Sequence, residues 1–271
     1  MKYQSLTRLA AVLLLAAGIH PAFAQFTNDL QIGLDLGPNF SWLNPNGPRV
    51  EGAGSRLGFR FMLNGEKYFG ENYAFNFGAG MSFGQGGRLR HSTGGSFLPN
   101  SDLSNPLLNR GQKPMDDGVE ITYKLSYVDL QAGLRLYTNQ MNLFKYFLDI
   151  PIARVSFLTR SRGDISGQNT LNQSIDAEGE LISPDLNGFL FSWGLGIGAE
   201  GTLQNDMSVY GGISFTQSFS DVTKDDGRYA FGEVDDGGTP EDPTDDVYSD
   251  TPRANSRDKL ATLTFRVGVF F

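Results

Sequence analysis

Apolar and polar residues alternate with period two through most of this chain, in eight separate blocks. Period two is the strand period, because successive side chains of an extended backbone point to opposite faces. In "LQIGLDLGPNF" Leu30, Ile32, Leu34 and Leu36 share one face, with Gln31, Gly33, Asp35 and Gly37 on the other. The second block sets Leu57, Phe59, Phe61 and Leu63 against Gly58, Arg60, Met62 and Asn64. The third sets Phe75, Phe77, Ala79, Met81 and Phe83 against Asn76, Gly78, Gly80, Ser82 and Gly84. In the fourth, Ile121, Tyr123, Leu125 and Tyr127 have one parity, while Val128, Leu130, Ala132, Leu134 and Leu136 have the other. That switch predicts a β-bulge near Tyr127. The fifth, "YFLDIPIARVSFLTR", is the least regular, and Pro151 predicts a second bulge because it has no N–H for the ladder. The sixth alternates most cleanly, from Phe189 to Ala199, and "MSVYGGISFTQSFS" and "KLATLTFRVGVFF" complete the set.

The connections alternate too. Short ones fall at 70–72, 138–145 and 204–206, and long ones at roughly 42–55, 86–119, 161–188 and 221–258. Short turns at one end and long loops at the other are the arrangement of an outer-membrane barrel. An eight-stranded barrel has an interior just wide enough for its own side chains, so four or five large apolar residues per strand would overfill it. The opposite face suits that space. It carries Gly, Ser, Thr and Asn, with the charges Asp35, Arg60, Asp129, Arg135, Glu200 and Arg266. Both signs are present, as an internally paired network requires, because unpaired buried charge is costly. The expected fold is therefore all-β: an eight-stranded antiparallel up-and-down transmembrane β-barrel. Its apolar face meets lipid, its long loops are extracellular and its short turns periplasmic.

Composition and the chain's beginning agree. Lys2 and Arg8 precede an apolar run from Leu9 to Gly18, and Ala22-Phe23-Ala24 closes it before Gln25. This is the pattern of a cleaved signal peptide over 1–24, leaving one barrel domain over 25–271 in the outer membrane of a Gram-negative cell envelope. The chain has no cysteine, which excludes disulfides, thiol catalysis and a lipid-bearing cysteine. Its 22 basic and 30 acidic residues leave a net charge of −8, and loss of Lys2 and Arg8 with the leader makes it more acidic. No nucleic-acid partner is expected at that sign. Glycine, at 34 residues, and phenylalanine, at 21, are both abundant, as in β-barrels.

The last block places Ala261, Leu263, Phe265, Val267, Val269 and Phe271 on one face. In hydrocarbon an open strand edge is not viable, so this strand is expected to pair with the first. Its final aromatic belongs at the periplasmic interface. An alternating strand carrying Phe265, Val267, Val269 and Phe271 also resembles the signal by which bacterial outer-membrane proteins engage their assembly machinery.

Four stretches, "YAFNFGAGMSFGQGG", "LSYVDLQAGLRLY", "KYFLDIPIARVSFLTRSR" and "FSWGLGIGAEGTL", resemble the PorT-type outer-membrane β-barrel family of the Bacteroidetes. The likeness runs over nearly the whole mature chain. It implies an eight-stranded barrel, and one branch of that family serves type IX secretion and gliding. Here "YVDLQAG" stands where the acidic-Ile-Pro run of that branch is usual.

Candidate chemistry is sparse. Gly196, Gly198 and Gly201 spell G-x-G-x-x-G, but inside a strand with no helix after it, so they read as glycines facing a crowded lumen. His91 is the one histidine beyond the leader, and it reads as a solvated residue of the second long loop beside Arg88, Arg90 and Ser92. No enzyme and no cofactor are expected. The acidic stretch 221–258 offers Asp235, Asp236, Asp242, Asp245 and Asp246 as weak Ca²⁺ ligands without the spacing of an EF-hand, set against a solvated acidic loop. Arg88, Arg90 and Arg110 are candidates to meet lipopolysaccharide phosphates. The expected role is non-enzymatic and exercised through surface loops: adhesion, envelope integrity or service to a larger complex such as type IX secretion. The alternative is a narrow channel for small apolar molecules. Expected partners are outer-membrane lipid and lipopolysaccharide, the barrel-assembly machinery, and envelope or secretion-complex proteins.

Overall fold

The computed structural model describes residues 30–47, 49–92, 97–104, 118–168, 174–203, 207–224, 234–235, 247–248 and 257–271. The expected leader and cleavage site lie outside them. The strands are β1 (Leu30–Pro45), β2 (Val50–Gly54), β3 (Arg56–Gly70), β4 (Tyr73–His91), β5 (Glu120–Tyr137) and β6 (Phe144–Gln168). They continue as β7 (Ser174–Glu180), β8 (Phe189–Thr202), β9 (Ser208–Ser218), β10 (Val234–Asp235), β11 (Val247–Tyr248) and β12 (Asp258–Phe270). Eight of them form a closed ring in the order β1-β3-β4-β5-β6-β8-β9-β12, with β12 returning to β1. Every neighbour in the ring is antiparallel. The closing pair runs from Gly33 opposite Phe270 to Pro45 opposite Asp258. The last strand thus seals the first, as lipid demands of a β-structure.

The apolar face points outward. Leu63 is 50% exposed while its neighbour Asn64 is 3% exposed, and the alternation repeats along every ring strand. Leu34, Phe59, Phe61, Phe75, Phe77, Phe191, Trp193, Leu195 and Phe265 all lie on the outside. Among the described residues no helix is long and apolar enough to cross a membrane; the crossing is made by strands. Aromatics gather at the end where β1 begins, β12 ends and the short turns lie, with Phe69, Tyr73, Phe144, Tyr146 and Phe271 exposed there. Rings at that height form the girdle of an outer-membrane barrel.

The connections at the other end contain more strand than the sequence suggested. β4, β5 and β6 run well past the apolar band, and β2 and β7 pair with the extensions of β4 and β6. β2, β7 and the upper ends of β4 and β6 fell within segments expected to be loop, whereas all of β5 was expected as strand.

The bulge expected at Tyr127 is not in that strand. β5 keeps one parity throughout, with Ile121, Tyr123, Leu125, Tyr127, Asp129, Gln131, Arg135 and Tyr137 all buried inside. The register breaks lie in its two neighbours. In β4 the break falls between Ser82 and Gln85, with Gly84 at φ 68° and Gly86 at φ 125°. A Cβ at Gly86 would also meet the Tyr123 carbonyl oxygen at 2.2 Å, so glycine is required there twice over. In β6, Thr159 is passed over between Leu158 and Arg160. The apolar residues of β5 change because their surroundings change, while the strand stays straight. The second expected bulge is present, since Ile150 and Pro151 fall in a register break between Asp149 and Ile152. With two breaks, β6 reverses its faces twice, which accounts for its irregular sequence pattern.

Candidate functional site

All six charges assigned to the lumen are buried there: Asp35, Arg60, Asp129, Arg135, Glu200 and Arg266. Their partners are only partly one another. Arg60 lies 4.0 Å from Asp129 and donates to Gln131 at 2.7 Å. Asp129 accepts from Ser82 and, at 2.5 Å, from Ser156. Asp35 accepts from Asn64 at 2.8 Å and from the Tyr210 hydroxyl at 3.1 Å. Arg135 instead grips Asp149 with two donors, at 2.5 and 2.9 Å, and pairs with Glu66 through its third nitrogen. Arg266 donates to the same Asp149 at 2.7 Å. The Tyr137 hydroxyl sits between Glu66, at 2.6 Å, and Glu200, at 2.8 Å.

Glu66 and Asp149, and with them Arg154, which is also buried inside, were missing from the sequence reading of the lumen. Glu66 was legible, since it shares the parity of Arg60 and Asn64. Asp149 and Arg154 lie either side of the Pro151 break, and no single alternation covers both. The network rests on an aromatic floor at the periplasmic end, where Tyr210 stacks on Phe270 and Phe147 meets Tyr137 edge-on. The Arg135 guanidinium lies 3.9 Å from the centre of the Phe147 ring. Small residues make the room. A Cβ at Gly196 would come within 2.9 Å of Arg266, and one at Gly198 within 2.3 Å of Phe147. Gly201 faces outward, against Phe144, so only part of the glycine triplet serves the lumen.

Above this network the interior turns apolar. Leu43, Leu89, Ile121, Tyr123, Leu125, Ile165, Ile182 and Leu260 form one cluster with Phe97, Leu98 and Leu103. The last three belong to segment 97–104, which folds into the extracellular mouth. Two buried carboxylates hold it there. Asp185 accepts the Asn100 amide and side chain, both at 3.1 Å, and the Ser101 hydroxyl. Glu180 accepts the Ser104 amide at 3.0 Å and the Ser104 hydroxyl. His91 belongs to this plug. It ends β4, is fully buried, and stacks on Phe97 with ring centres 4.1 Å apart. It is not the solvated loop residue expected from its basic neighbours, because the β4 bulge turns it inward while Arg88 and Arg90 stay outside.

Of the assembly-strand residues, Phe265, Val267 and Phe271 are exposed on the outer face, and Val269 shares that face. Asp236, Asp242, Asp245 and Asp246 lie outside the described residues, as does Arg110. Asp235 is described only as backbone paired through the short β10–β11 ladder.

Comparison with known proteins agrees with this architecture. The family model described as "outer membrane protein beta-barrel domain" matches residues 23–224. The chain belongs to this outer-membrane β-barrel family. No curated protein matches it in sequence. Solved structures similar to it include Neisserial surface protein A, at 11% identity and TM-score 0.33, covering 88% of this chain and 97% of that one. Ail, the attachment invasion locus protein of Yersinia pestis, is 10% identical at TM-score 0.35, covering 89% and 98%. The outer membrane protease OmpT of Escherichia coli is also 10% identical at TM-score 0.35, covering 91% and 97%. The chain is thus an outer-membrane β-barrel protein, and its role has to be argued from its own residues.

Proposed function

We propose that this barrel is non-enzymatic and acts through its extracellular half, in adhesion, envelope integrity or as an accessory to a larger envelope complex. The carrying observation is that the interior is filled at two levels. The Glu66–Arg135–Asp149–Arg266 network occupies the membrane-embedded lumen, and the Phe97–Leu103 plug occupies the mouth. A filled interior favours this reading over a channel, and it leaves the protruding strands and loops to meet a partner. The resemblance to PorT-type barrels makes type IX secretion one such complex. The test is affinity purification of the tagged barrel from mildly solubilised outer membranes. Stoichiometric co-purification of secretion or gliding components supports the accessory role. Recovery of the barrel alone removes it and leaves an independent surface protein.

A further inference from the structure

The outward face of β5 and β6 changes character with height above the membrane. Val128 and Phe157 face each other across the ladder as the last apolar pair. One step above the bulge, Ser126 faces Arg160, and next on that face Lys124 faces Arg162. Acidic residues begin only above these cations: Asp164 opposite Thr122, and Glu120 and Asp176 on either side of Ser166. The order is therefore apolar, cationic, acidic, and the cationic band lies at the outer edge of the lipid-facing wall.

This band also contains a cleft. Where β6 bulges, Thr159, Arg160 and Arg162 line a cavity of about 180 Å³ with Leu181, Ser183 and the inward-facing Leu158 and Ser161. The cations of the band are unevenly committed, and of them Arg160 and Arg162 line the cleft. Lys124 pairs with Asp164, and Arg162 donates to the Gly179 carbonyl at 2.7 Å. Arg160 is exposed and has no ion pair among the described residues. A guanidinium with free donors, beside hydroxyls and the exposed Leu181 at the membrane boundary, matches a ligand that is anionic at one end and apolar at the other.

We propose that this cleft binds the phosphate-bearing headgroup of an outer-leaflet glycolipid, with Arg160 and Arg162 on the phosphate and the exposed Leu181 against its apolar part. The inference rests on the barrel's placement in the outer membrane and is independent of what the loops engage. Its height selects the ligand: a phosphate anchored in the outer leaflet is held at this level, and the acidic rows above repel anions approaching from bulk solvent.

The test uses the full barrel in nanodiscs, with native mass spectrometry reading retention of diphosphorylated lipid A, dephosphorylated lipid A and inorganic phosphate. Wild type is expected to retain the diphosphorylated lipid about tenfold better than R160E, with R160K close to wild type. Raised salt should narrow the difference. Equal retention by R160E, or equal binding of the dephosphorylated lipid, overturns the proposal. Competition by inorganic phosphate as effective as that by the lipid overturns the lipid assignment. Heat-modifiable electrophoretic mobility verifies folding of each variant. Arg160 makes no ion pair among the described residues, and R160Q replaces R160E in the comparison if charge reversal prevents folding.

Discussion

The two halves of the interior are built on different principles from the same strands. Below, β5 sends Asp129, Gln131 and Arg135 inward into a network of charges and amides. Above, the same face of the same strand sends Tyr127, Leu125, Tyr123 and Ile121 into an apolar core. What differs is what lies outside the wall. Where lipid surrounds the barrel, apolar side chains are at home on the outer face, and the narrow lumen is filled by polar groups, among them the paired charges around Arg135 and Asp149. Where water surrounds it, the protruding strands hold together as a soluble domain does, by burying apolar surface inside. The inversion takes place within a few residues, at the level where β4 breaks register after Ser82 and β6 breaks after Leu158.

The largest expected effect comes from breaking the lower half. Arg135→Ala leaves Glu66 and Asp149 without their main cation and should destabilise the barrel by about 3–5 kcal/mol, the cost typical of orphaning a buried charge. Urea unfolding in detergent micelles measures it; a midpoint equal to wild type would show that the network is not what holds the lumen. A somewhat smaller loss is expected from Leu125→Ala in the upper half, about 2–5 kcal/mol for a large-to-small change in a core. Its location distinguishes it. Amide exchange should accelerate in segment 97–104 and the upper strands while the lower lumen keeps its protection. Uniform acceleration would mean that the two halves unfold as one unit.

The smallest effect concerns Asp164, on the water-facing extension. Burial raises its pKa, but the Lys124 hydrogen bond, the Gly179 amide and the Lys124 charge outweigh that and hold it below the usual carboxylate range. A depressed folded pKa gives a contribution that is complete above the unfolded value near 3.9 and is lost as pH falls through the folded one. The attachment of β7 to β6 should therefore loosen only in strong acid. Asp164→Asn should remove that acid sensitivity, measured by exchange at Gly179, without altering the unfolding of the lower lumen.

Much of this was determined by the sequence alone. Eight alternating blocks, small and polar residues opposite the apolar ones in most of them, and short turns at one end specified a closed barrel with its apolar face outward. The same alternation located Asp35, Arg60, Asp129, Arg135, Glu200 and Arg266 inside, because parity is a local property that needs only the neighbours along the chain. Tertiary structure decided the rest. Parity cannot say which strand bulges, so a change of environment along β5 looked like a change of face, when the breaks were in β4 and β6. It cannot assign pairs across a lumen, so Asp149 became visible as the shared partner of Arg135 and Arg266 only once β5, β6 and β12 were brought round one axis. Nor does it show that segment 97–104 returns to fill the mouth and bury His91, because that depends on Asp185 and Glu180, some eighty residues further along the chain. Those contacts are long-range, and a period of two carries no information about them.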